Sequence, residues 1–467
     1  MKTVIPPVVI IFALVCFALS QGAQGVVPPP PGGYPNFTTA AGDHALQALT
    51  LGVGNTAIGT FSLFSVTTGN FNTAVGAGSL DLNTADSNTA TGAAALLFNT
   101  IGTENTANGT AALELNATGD FNTANGAFAL FSNTTGERNT ANGAVALLSN
   151  TTGFDNTANG YQALFRNTTG RDNTATGFAA LFSNTTGNFN TASGDGALSN
   201  NTTGTQNTAI GSSALLSNTF GYNNTATGSL ALNSNTTGHD NTATGYLALN
   251  SNTTGTNNTA IGDEALFNNT TGGNNIVLGF NAGLNVTTAN NVICIGTEGN
   301  NVDNSCYIGN IFNATSSGGT AVLVNTNGRL GTTTSSRRFK DNIKLMDHAS
   351  EALFELKPVS FRYKKEIDPA GTSQFGLVAE EVEKVNPNLV VRDTEGKPYS
   401  VRYDQVNAML LNEFLKEHRK VEQQRKDFEA ALAQQQKQIE ALTAGLQKVS
   451  AQLELRKPAP QTVLNSQ

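Results

Sequence analysis

The sequence predicts a mostly β protein: a repetitive β-solenoid (β-roll) fibre of 17-residue coils, then an α+β domain and a parallel trimeric coiled coil. Three observations predict this fold. The triplet Asn-Thr-Ala recurs between positions 55 and 258 at a step of 17 residues, with a single step of 16. A segment of mixed charge begins at Ser335. Beyond Asp404, apolar residues recur at alternating spacings of three and four, a pattern typical of coiled coils.

The N-terminal segment, residues 1–25, is predicted to be a secretory signal. Lys2 precedes an apolar run from Val4 to Leu19, which is followed by small and polar residues, as in signal peptides. Cleavage is expected after Gly25, with Gly22 as the other candidate. Because the run approaches the length of a membrane span, a retained anchor is the competing interpretation. If the signal segment is removed, the mature protein is expected to be secreted or exposed at the cell surface and to have no membrane span.

Residues 26–49 are predicted to be a Pro/Gly-rich spacer, since four prolines at 28–31 precede two glycines, a composition typical of extended linkers. Residues 26–334 contain four arginines, fifteen acidic residues and no lysine, a net charge of −11. Such a body offers no basic track for phosphates, which excludes nucleic-acid binding. No cofactor and no metal is expected.

The repeat body, residues 50–310, is predicted to form stacked coils, because a fixed short period is typical of solenoids. One unit runs from Asn258 to Asn274, and degenerate copies follow at 275–279 and 292–296. Seventeen residues suit two short strands and two turns. Glycines at the fifth and fifteenth positions are expected to supply positive φ. Ala and Leu at the eighth and ninth positions fill the core, and Asn and Thr columns form ladders between coils.

Each coil buries little apolar surface, about one Leu and two Ala. At roughly 25 cal/mol per Å² this burial does not offset backbone ordering, so three chains are expected to associate along a shared axis. The alternatives are a disordered tract and, because Thr rows can form a flat face, an ice-binding surface. Asn-Thr-Thr sequences such as that at Asn133 match the acceptor motif for N-glycosylation. We interpret their asparagines as structural residues of the solenoid instead. Whether Cys294 and Cys306 pair stays open.

Over about residues 50–310 these repeats resemble the head repeats of trimeric autotransporter adhesins, although those repeats are shorter. The resemblance implies a left-handed parallel β-roll and a trimeric fibre exposed at a surface. It implies adhesion or display toward a cell-surface or extracellular ligand that the repeats do not identify.

Residues 311–334 are predicted to form a capping hairpin and a cleavage linker. The run Val-Leu-Val at 322–324 is followed by Asn327-Gly328, a strong hairpin signal. The hairpin is expected to close the solenoid, with Thr332 to Ser336 just beyond its end.

Four motifs follow in order. They read Ser-Ser-Arg-Arg-Phe-Lys from Ser335, Leu-Lys-Pro-Val-Ser-Phe from Leu356, Phe-Gly-Leu-Val-Ala-Glu-Glu from Phe375 and Val-Arg-Tyr-Asp from Val401. Together they resemble, over roughly residues 335–430, the endosialidase-type intramolecular chaperone domain of phage tail spikes and tail fibres. The resemblance implies a homotrimer that releases itself by cutting before a Ser, assisted by a Lys five residues later. Ser335 and Lys340 fit, which puts the cut between Thr334 and Ser335. Position 336 is Ser, where many members carry Asp.

The residues of this pair suit single-turnover serine autoproteolysis. A Ser hydroxyl needs a base to become a nucleophile, and Lys serves as one only when burial lowers its pKa from about 10.4. Residues five apart do not share a helix face, so a turn or tertiary folding must join the pair. Ser335 would attack the Thr334 carbonyl, Lys340 would take the proton, and water would resolve the ester. Arg338 and Glu380 are candidate supporting residues.

The C-terminal part divides into an α+β segment, residues 335–404, and a coiled-coil helix, residues 405–457. Within the first, helices are expected at 349–355 and 377–385 and a strand at 359–364. The helix carries an apolar seam that is interrupted by three polar residues, His418, Arg425 and Gln435. The apolar residues of the seam are Leu411, Phe414, Val421, Phe428, Leu432, Ile439, Leu442, Leu446, Val449 and Leu453. A seam of this length favours parallel self-association, with the polar residues fixing the register. Residues 458–467, which contain two prolines, are expected to be a disordered tail.

The sequence therefore predicts an exported, homotrimeric, adhesin-like fibre with a self-cleaving chaperone. One alternative is a non-cleaving adhesin whose C-terminal domain only trimerises. Another is a polysaccharide-degrading spike, which needs paired carboxylates in a cleft and is disfavoured by the few acids of the body.

Overall fold

The computed structural model describes residues 35–312, 314, 317–325 and 327–456, so the predicted signal segment and tail lie outside the described residues. The chain divides into two compact units between Ala314 and Thr315. Within the described ranges, no helix combines the length and apolar character needed to cross a bilayer.

The first unit is a parallel β-solenoid, and each coil contributes one three-residue strand to a single seventeen-stranded sheet. A short 3-10 helix, Pro35–Phe37, precedes it. Strands β1 to β17 are Thr39–Ala41, Thr56–Ile58, Thr73–Val75, Thr89–Thr91, Thr106–Asn108, Thr123–Asn125, Thr140–Asn142, Thr157–Asn159, Thr174–Thr176, Thr191–Ser193, Thr208–Ile210, Thr225–Thr227, Thr242–Thr244, Thr259–Ile261, Ile276–Leu278, Ile293–Ile295 and Cys306–Ile308.

Each strand pairs in parallel with the next strand along the chain, and equivalent residues of the repeat lie side by side, as Thr242 and Thr259 do. The in-register stacking follows from the sequence period. At a spacing of about 4.8 Å the sheet is roughly 75–80 Å long. The solenoid begins earlier than predicted, because β1 lies within the segment 26–49 that was assigned to the spacer.

The second side of each coil is not a strand, so the prediction of two strands per coil is wrong. In the unit that starts at Asn258, Gly262, Glu264 and Leu266 have φ values of 136°, 54° and 55°. This alternation of left-handed residues is incompatible with an extended strand. The backbone still bonds to neighbouring coils, since the Leu266 N–H donates to the Ala282 carbonyl at 2.9 Å. Leu266 is fully buried.

Glycine at the fifteenth position has a different role from the predicted positive φ. Gly255 is not among the residues with positive φ, but a Cβ there would collide with Asn252 Oδ1 and with the Gly272 carbonyl oxygen. The Gly255 carbonyl accepts hydrogen bonds from Asn241 Nδ2 at 2.9 Å and from Asn252 Nδ2 at 3.1 Å. Position fifteen therefore requires glycine because the asparagine side chain of its own coil and the backbone of the next coil approach it too closely for a Cβ atom.

The solenoid interior combines buried Ala and Leu with two columns of fully buried asparagine. In one column, the Asn258 N–H and Nδ2 both donate to Asn241 Oδ1, at 3.0 and 3.1 Å. In the other, Asn133 Nδ2 donates to Asn116 Oδ1 at 2.7 Å. These columns confirm the predicted asparagine ladders and give the buried amides hydrogen-bond partners, except that Asn269 Oδ1, at the end of the second column, has none. The side chain of Asn133 is fully buried, so this sequon is inaccessible. The core is completed within one chain.

The second unit is a small α+β fold. Antiparallel pairs join β18 (Val322–Val324) to β19 (Leu330–Thr332), β20 (Val359–Phe361) to β21 (Gln374–Gly376), and β22 (Val390–Arg392) to β23 (Pro398–Val401). The first pair confirms the predicted Asn-Gly hairpin. The 3-10 helices are Arg337–Phe339, Asp347–Glu355 and Pro387–Leu389, and the α-helices are α1 (Ala379–Val385) and α2 (Tyr403–Leu455).

The core of the second unit is small. Its buried residues come from α1, the 3-10 helix Pro387–Leu389, the β22–β23 hairpin and the start of α2: Val382, Leu389, Val390, Val401, Val406 and Met409. Side chains of the 347–355 helix pack against them. Most of α2 extends beyond this core, and every residue from Gln423 to Leu455 is exposed.

Candidate active site

The predicted cleavage segment is an exposed linker. β19 ends at Thr332, and residues 333–336 have no regular secondary structure before the 3-10 helix Arg337–Phe339. Thr334, Ser335 and Lys340 are all exposed. The peptide bond between Thr334 and Ser335 is therefore free of any strand pairing that a nucleophile would have to disrupt.

A single helical turn separates Ser335 from Lys340. The Phe339 N–H donates to the Ser336 carbonyl at 3.1 Å, and the Lys340 N–H donates to the Arg337 carbonyl at 3.1 Å. A 3-10 turn rises about 2 Å per residue, against about 3.3 Å in an extended chain, so it draws the pair together. Within the described chain no hydrogen bond joins the two side chains.

The candidate supporting residues are not joined to each other. The Arg338 guanidinium lies over the neighbouring Phe339 ring, 4.6 Å from its centroid. Glu380 lies in the first turn of α1 and is exposed. Among the described residues no ion pair links Arg338 to Glu380.

Exposed apolar side chains surround the cleavage segment in the sequence. Phe339 is 61% exposed, Ile343 is 53% exposed and Leu345 is 87% exposed. A lysine base needs a site that excludes water, and one chain leaves this segment open to solvent. The described chain alone therefore does not provide the burial that a lysine base requires.

Three of the four motifs meet through Gly376. It pairs with Val359 across the β20–β21 hairpin, and a Cβ on it would approach the Tyr403 hydroxyl to 2.8 Å. That hydroxyl accepts a hydrogen bond from the Leu377 N–H at 2.9 Å. The motifs beginning at residues 356, 375 and 401 therefore form one local structure, and its close packing explains the glycine.

A polar cluster that the sequence did not reveal ties the 347–355 helix to α2. The Ser350 hydroxyl is buried; it donates to Glu413 and accepts from Asn412 Nδ2, the latter at 2.6 Å. Lys416 pairs with Glu413 at 2.7 Å. Its hydrogen bond, followed by that of Ser350, lowers the pKa of Glu413 below the usual range. The cluster holds the start of the long helix against the small core.

The apolar seam of α2 lies open to solvent. Every apolar seam residue from Leu411 to Leu453 is more than half exposed, with Phe428 at 69% and Leu446 at 71%. Arg425, one of the polar seam residues, pairs with Glu422 at 3.1 Å and with Glu429 at 4.0 Å on the same helix. The seam therefore matches the predicted heptads in position and is not covered by its own chain.

Comparison with known proteins identifies one part of the chain. No curated protein and no solved structure is significantly similar to it. Residues 335–391 match the family model described as chaperone of endosialidase. The chain therefore joins a β-solenoid body to an endosialidase-type chaperone domain, an arrangement that fits a tail-fibre-like protein.

Proposed function

We propose that this is an exported homotrimer whose C-terminal domain gathers three chains and folds the solenoid. The domain then releases itself by cutting between Thr334 and Ser335. The observation that carries the proposal is that the family match starts at Ser335, within the exposed linker of residues 333–336. The released body would serve in adhesion or display at a cell surface.

Trimerisation is supported by the uncovered seam of α2. A helix with one apolar stripe in strict heptads gains stability only when partner helices cover that stripe. His418, Arg425 and Gln435 would form polar layers that fix the register of three parallel helices.

The reaction follows from Ser335 and Lys340. The Ser335 hydroxyl attacks the Thr334 carbonyl while Lys340 accepts the hydroxyl proton, which then passes to the departing Ser335 nitrogen. The product is an ester between Thr334 and the Ser335 side chain, with a free amine on Ser335. Water hydrolyses this ester to a Thr334 carboxylate and a Ser335 hydroxyl. Neighbouring copies would supply the burial that activates Lys340, which ties cutting to assembly.

The test is intact-mass measurement and denaturing gels of the full chain beside Ser335→Ala, Lys340→Arg and the matched control Ser336→Ala. We expect a C-terminal product that begins at Ser335 in the wild type and in Ser336→Ala, and whole chains in the other two. Cutting at the same bond in Ser335→Ala would contradict the assigned nucleophile.

A non-cleaving trimeric adhesin is the second candidate. Ser336 favours it, because it stands where many chaperone domains of this type carry Asp. In that case the wild type stays whole after prolonged incubation yet has the mass of three chains in light scattering.

A further inference from the structure

The outward side of the solenoid sheet changes character in its last three strands. In β1 to β14 the first residue of each strand is Thr. In β15 to β17 the outward residues become apolar, with one cysteine, and they form a patch that we call the terminal apolar face: Ile276, Leu278, Ile293, Ile295, Cys306 and Ile308. The face contains no charged residue.

The terminal apolar face is exposed, although its strands are well packed on the inside. The exposed fractions are 52% for Ile276, 48% for Leu278 and 40% for Ile295. The central residues of the same strands, Val277 and Cys294, are buried. Because neighbouring strands are in register, the outward residues form contiguous columns, on the order of 400 Å² of apolar surface, which is the size of the largest apolar patch on a typical monomer, a patch that is often functional.

Elsewhere on the sheet, apolar residues occupy at most one of the two outward positions of a strand. Ile58 and Ile210 are 43% and 45% exposed, and each shares its strand with an outward Thr. Ile58 lies beside Val75, and Ile261 of β14 lies beside Leu278 at the edge of the terminal apolar face. Scattered apolar residues of this kind are ordinary on a protein surface. The last strands therefore differ from the rest of the sheet by design of the sequence, at the end of the body that precedes the chaperone domain.

We propose that the terminal apolar face packs against the same face of neighbouring copies, so that the solenoids of the homotrimer meet through their last coils only. This inference rests on the proposed trimer. The face is apolar and uncharged, so copies of it can converge on a shared three-fold axis without bringing like charges together. It lies in the coils nearest in sequence to the domain that would gather the chains. The polar sheet of β1 to β14 stays hydrated and free for a ligand.

This arrangement differs from association along the whole axis, which the sequence predicts from the thin core of each coil. The reason is that the buried asparagine columns complete the interior within one chain. On the outward side of the sheet, β15 and β16 are the strands with apolar residues at both outward positions, whereas elsewhere on the solenoid exposed apolar side chains such as Leu51, Phe71 and Phe178 lie outside the strands.

Cys306 provides a native reporter for this contact. It is exposed and lies beside Ile293 in the strand register, whereas Cys294 is buried and lies beside Tyr307. Successive strand residues point to opposite faces, which explains why both cysteines are free. Among the described residues, Cys306 is the only exposed cysteine.

The experiment uses the full chain carrying Ser335→Ala, so that the domains stay attached, and a short bis-maleimide as crosslinker. Three cysteines around one axis should give covalent dimers on denaturing gels, with about two thirds of the chains shifted. Cys306→Ser should abolish the shift. As a matched control, Thr174→Cys, in the same outward column of β9 and in the Cys306→Ser background, should not crosslink.

Each result decides between the two proposals. A trimer in light scattering without crosslinking through Cys306 would overturn this inference and leave the proposed function intact. Equal crosslinking at Cys306 and at Thr174→Cys would show contact along the whole body and would overturn the restriction to the last coils. A monomer in light scattering would overturn the proposed trimer and this inference with it.

Discussion

The solenoid and the long helix α2 treat their apolar residues in opposite ways. Leu266 is fully buried by its own and adjacent coils, whereas Phe428 in the middle of α2 is 69% exposed. A repeat finds its packing partner in the next repeat of the same chain, and a lone helix with one apolar stripe has no such partner. The difference teaches that the solenoid completes its core within one chain, whereas α2 leaves its apolar stripe uncovered.

The largest effect should come from the helix seam. We expect Phe428→Ala to weaken self-association by orders of magnitude, since truncating a buried Phe costs about 3–5 kcal/mol in each chain. Thermal unfolding of the solenoid should not change. Sedimentation equilibrium measures the first quantity and circular dichroism the second. Lys426→Ala, on an exposed part of the same helix, is the control, and an equal loss in both variants would contradict the seam.

Glycine substitutions should have opposite signs in the two regions. Gly177 has φ of 130°, and a Cβ there would meet the Gly194 carbonyl carbon at 2.7 Å, so Gly177→Ala should destabilise the solenoid by about 3 kcal/mol. Gly445 lies in α2 with open space around it, so Gly445→Ala should stabilise the helix by about 0.5–1 kcal/mol. Denaturant unfolding measures both, and changes of the same sign would break the comparison.

The solenoid contains a buried asparagine ladder and a partly exposed one, so the stabilising effect of the two can be compared. Asn150 is buried and bonds to Asn133 and Asn167 at 2.8 Å; Asn125 is not fully buried and bonds to Asn108 and Asn142 at the same distance. We expect Asn150→Ala to cost about 2 kcal/mol, because it leaves buried partners unsatisfied. Asn125→Ala should cost less than about 0.5 kcal/mol. Comparable losses in urea unfolding would argue against the buried column as the main stabilising ladder.

Lowering the pH should stabilise the solenoid and destabilise the second unit. Burial raises the pKa of Glu114 from 4.5 to about 7 and that of Asp81 from 3.8 to about 6. The folded solenoid then binds protons that the unfolded chain releases, so its stability falls as pH rises through this window and the penalty is complete above pH 7. In the second unit, the lowered pKa of Glu413 contributes stability that is lost as pH falls.

Glu114→Gln measures the solenoid part of this effect. At pH 8 the variant should gain roughly 1–2 kcal/mol in unfolding free energy, and the gain should vanish near pH 4. Glu104→Gln, at an exposed position of a neighbouring coil, is the control. An unchanged pH dependence in Glu114→Gln would refute the assignment.

The parts of the fold that follow from a local sequence pattern were predictable. The Asn-Thr-Ala period predicts the strand register, Asn327-Gly328 predicts the β18–β19 hairpin, and the heptads predict a helix whose observed start is Tyr403. The second side of the coil was not predictable. A left-handed Leu such as Leu266 is unfavourable on its own, and only its burial in the stacked solenoid compensates for this.

The sequence predicts where the candidate site lies along the chain, but not how its side chains are arranged or what surrounds them. Ser335 and Lys340 follow from their spacing and from the motif around them, but both are exposed in the single chain, and in the proposed trimer the burial that would activate them comes from other chains. The contacts of Ser350 with Asn412 and Glu413 span more than 60 residues. Neither the heptads nor local propensity signals them.

The central claim is that the C-terminal unit gathers three copies of a body that completes its own core. The most direct test is the native mass of the full chain carrying Ser335→Ala, measured by light scattering beside a version with Phe428→Asp. The account predicts three chain masses for the first and one for the second. One chain mass for Ser335→Ala itself, with a folded solenoid, would contradict it.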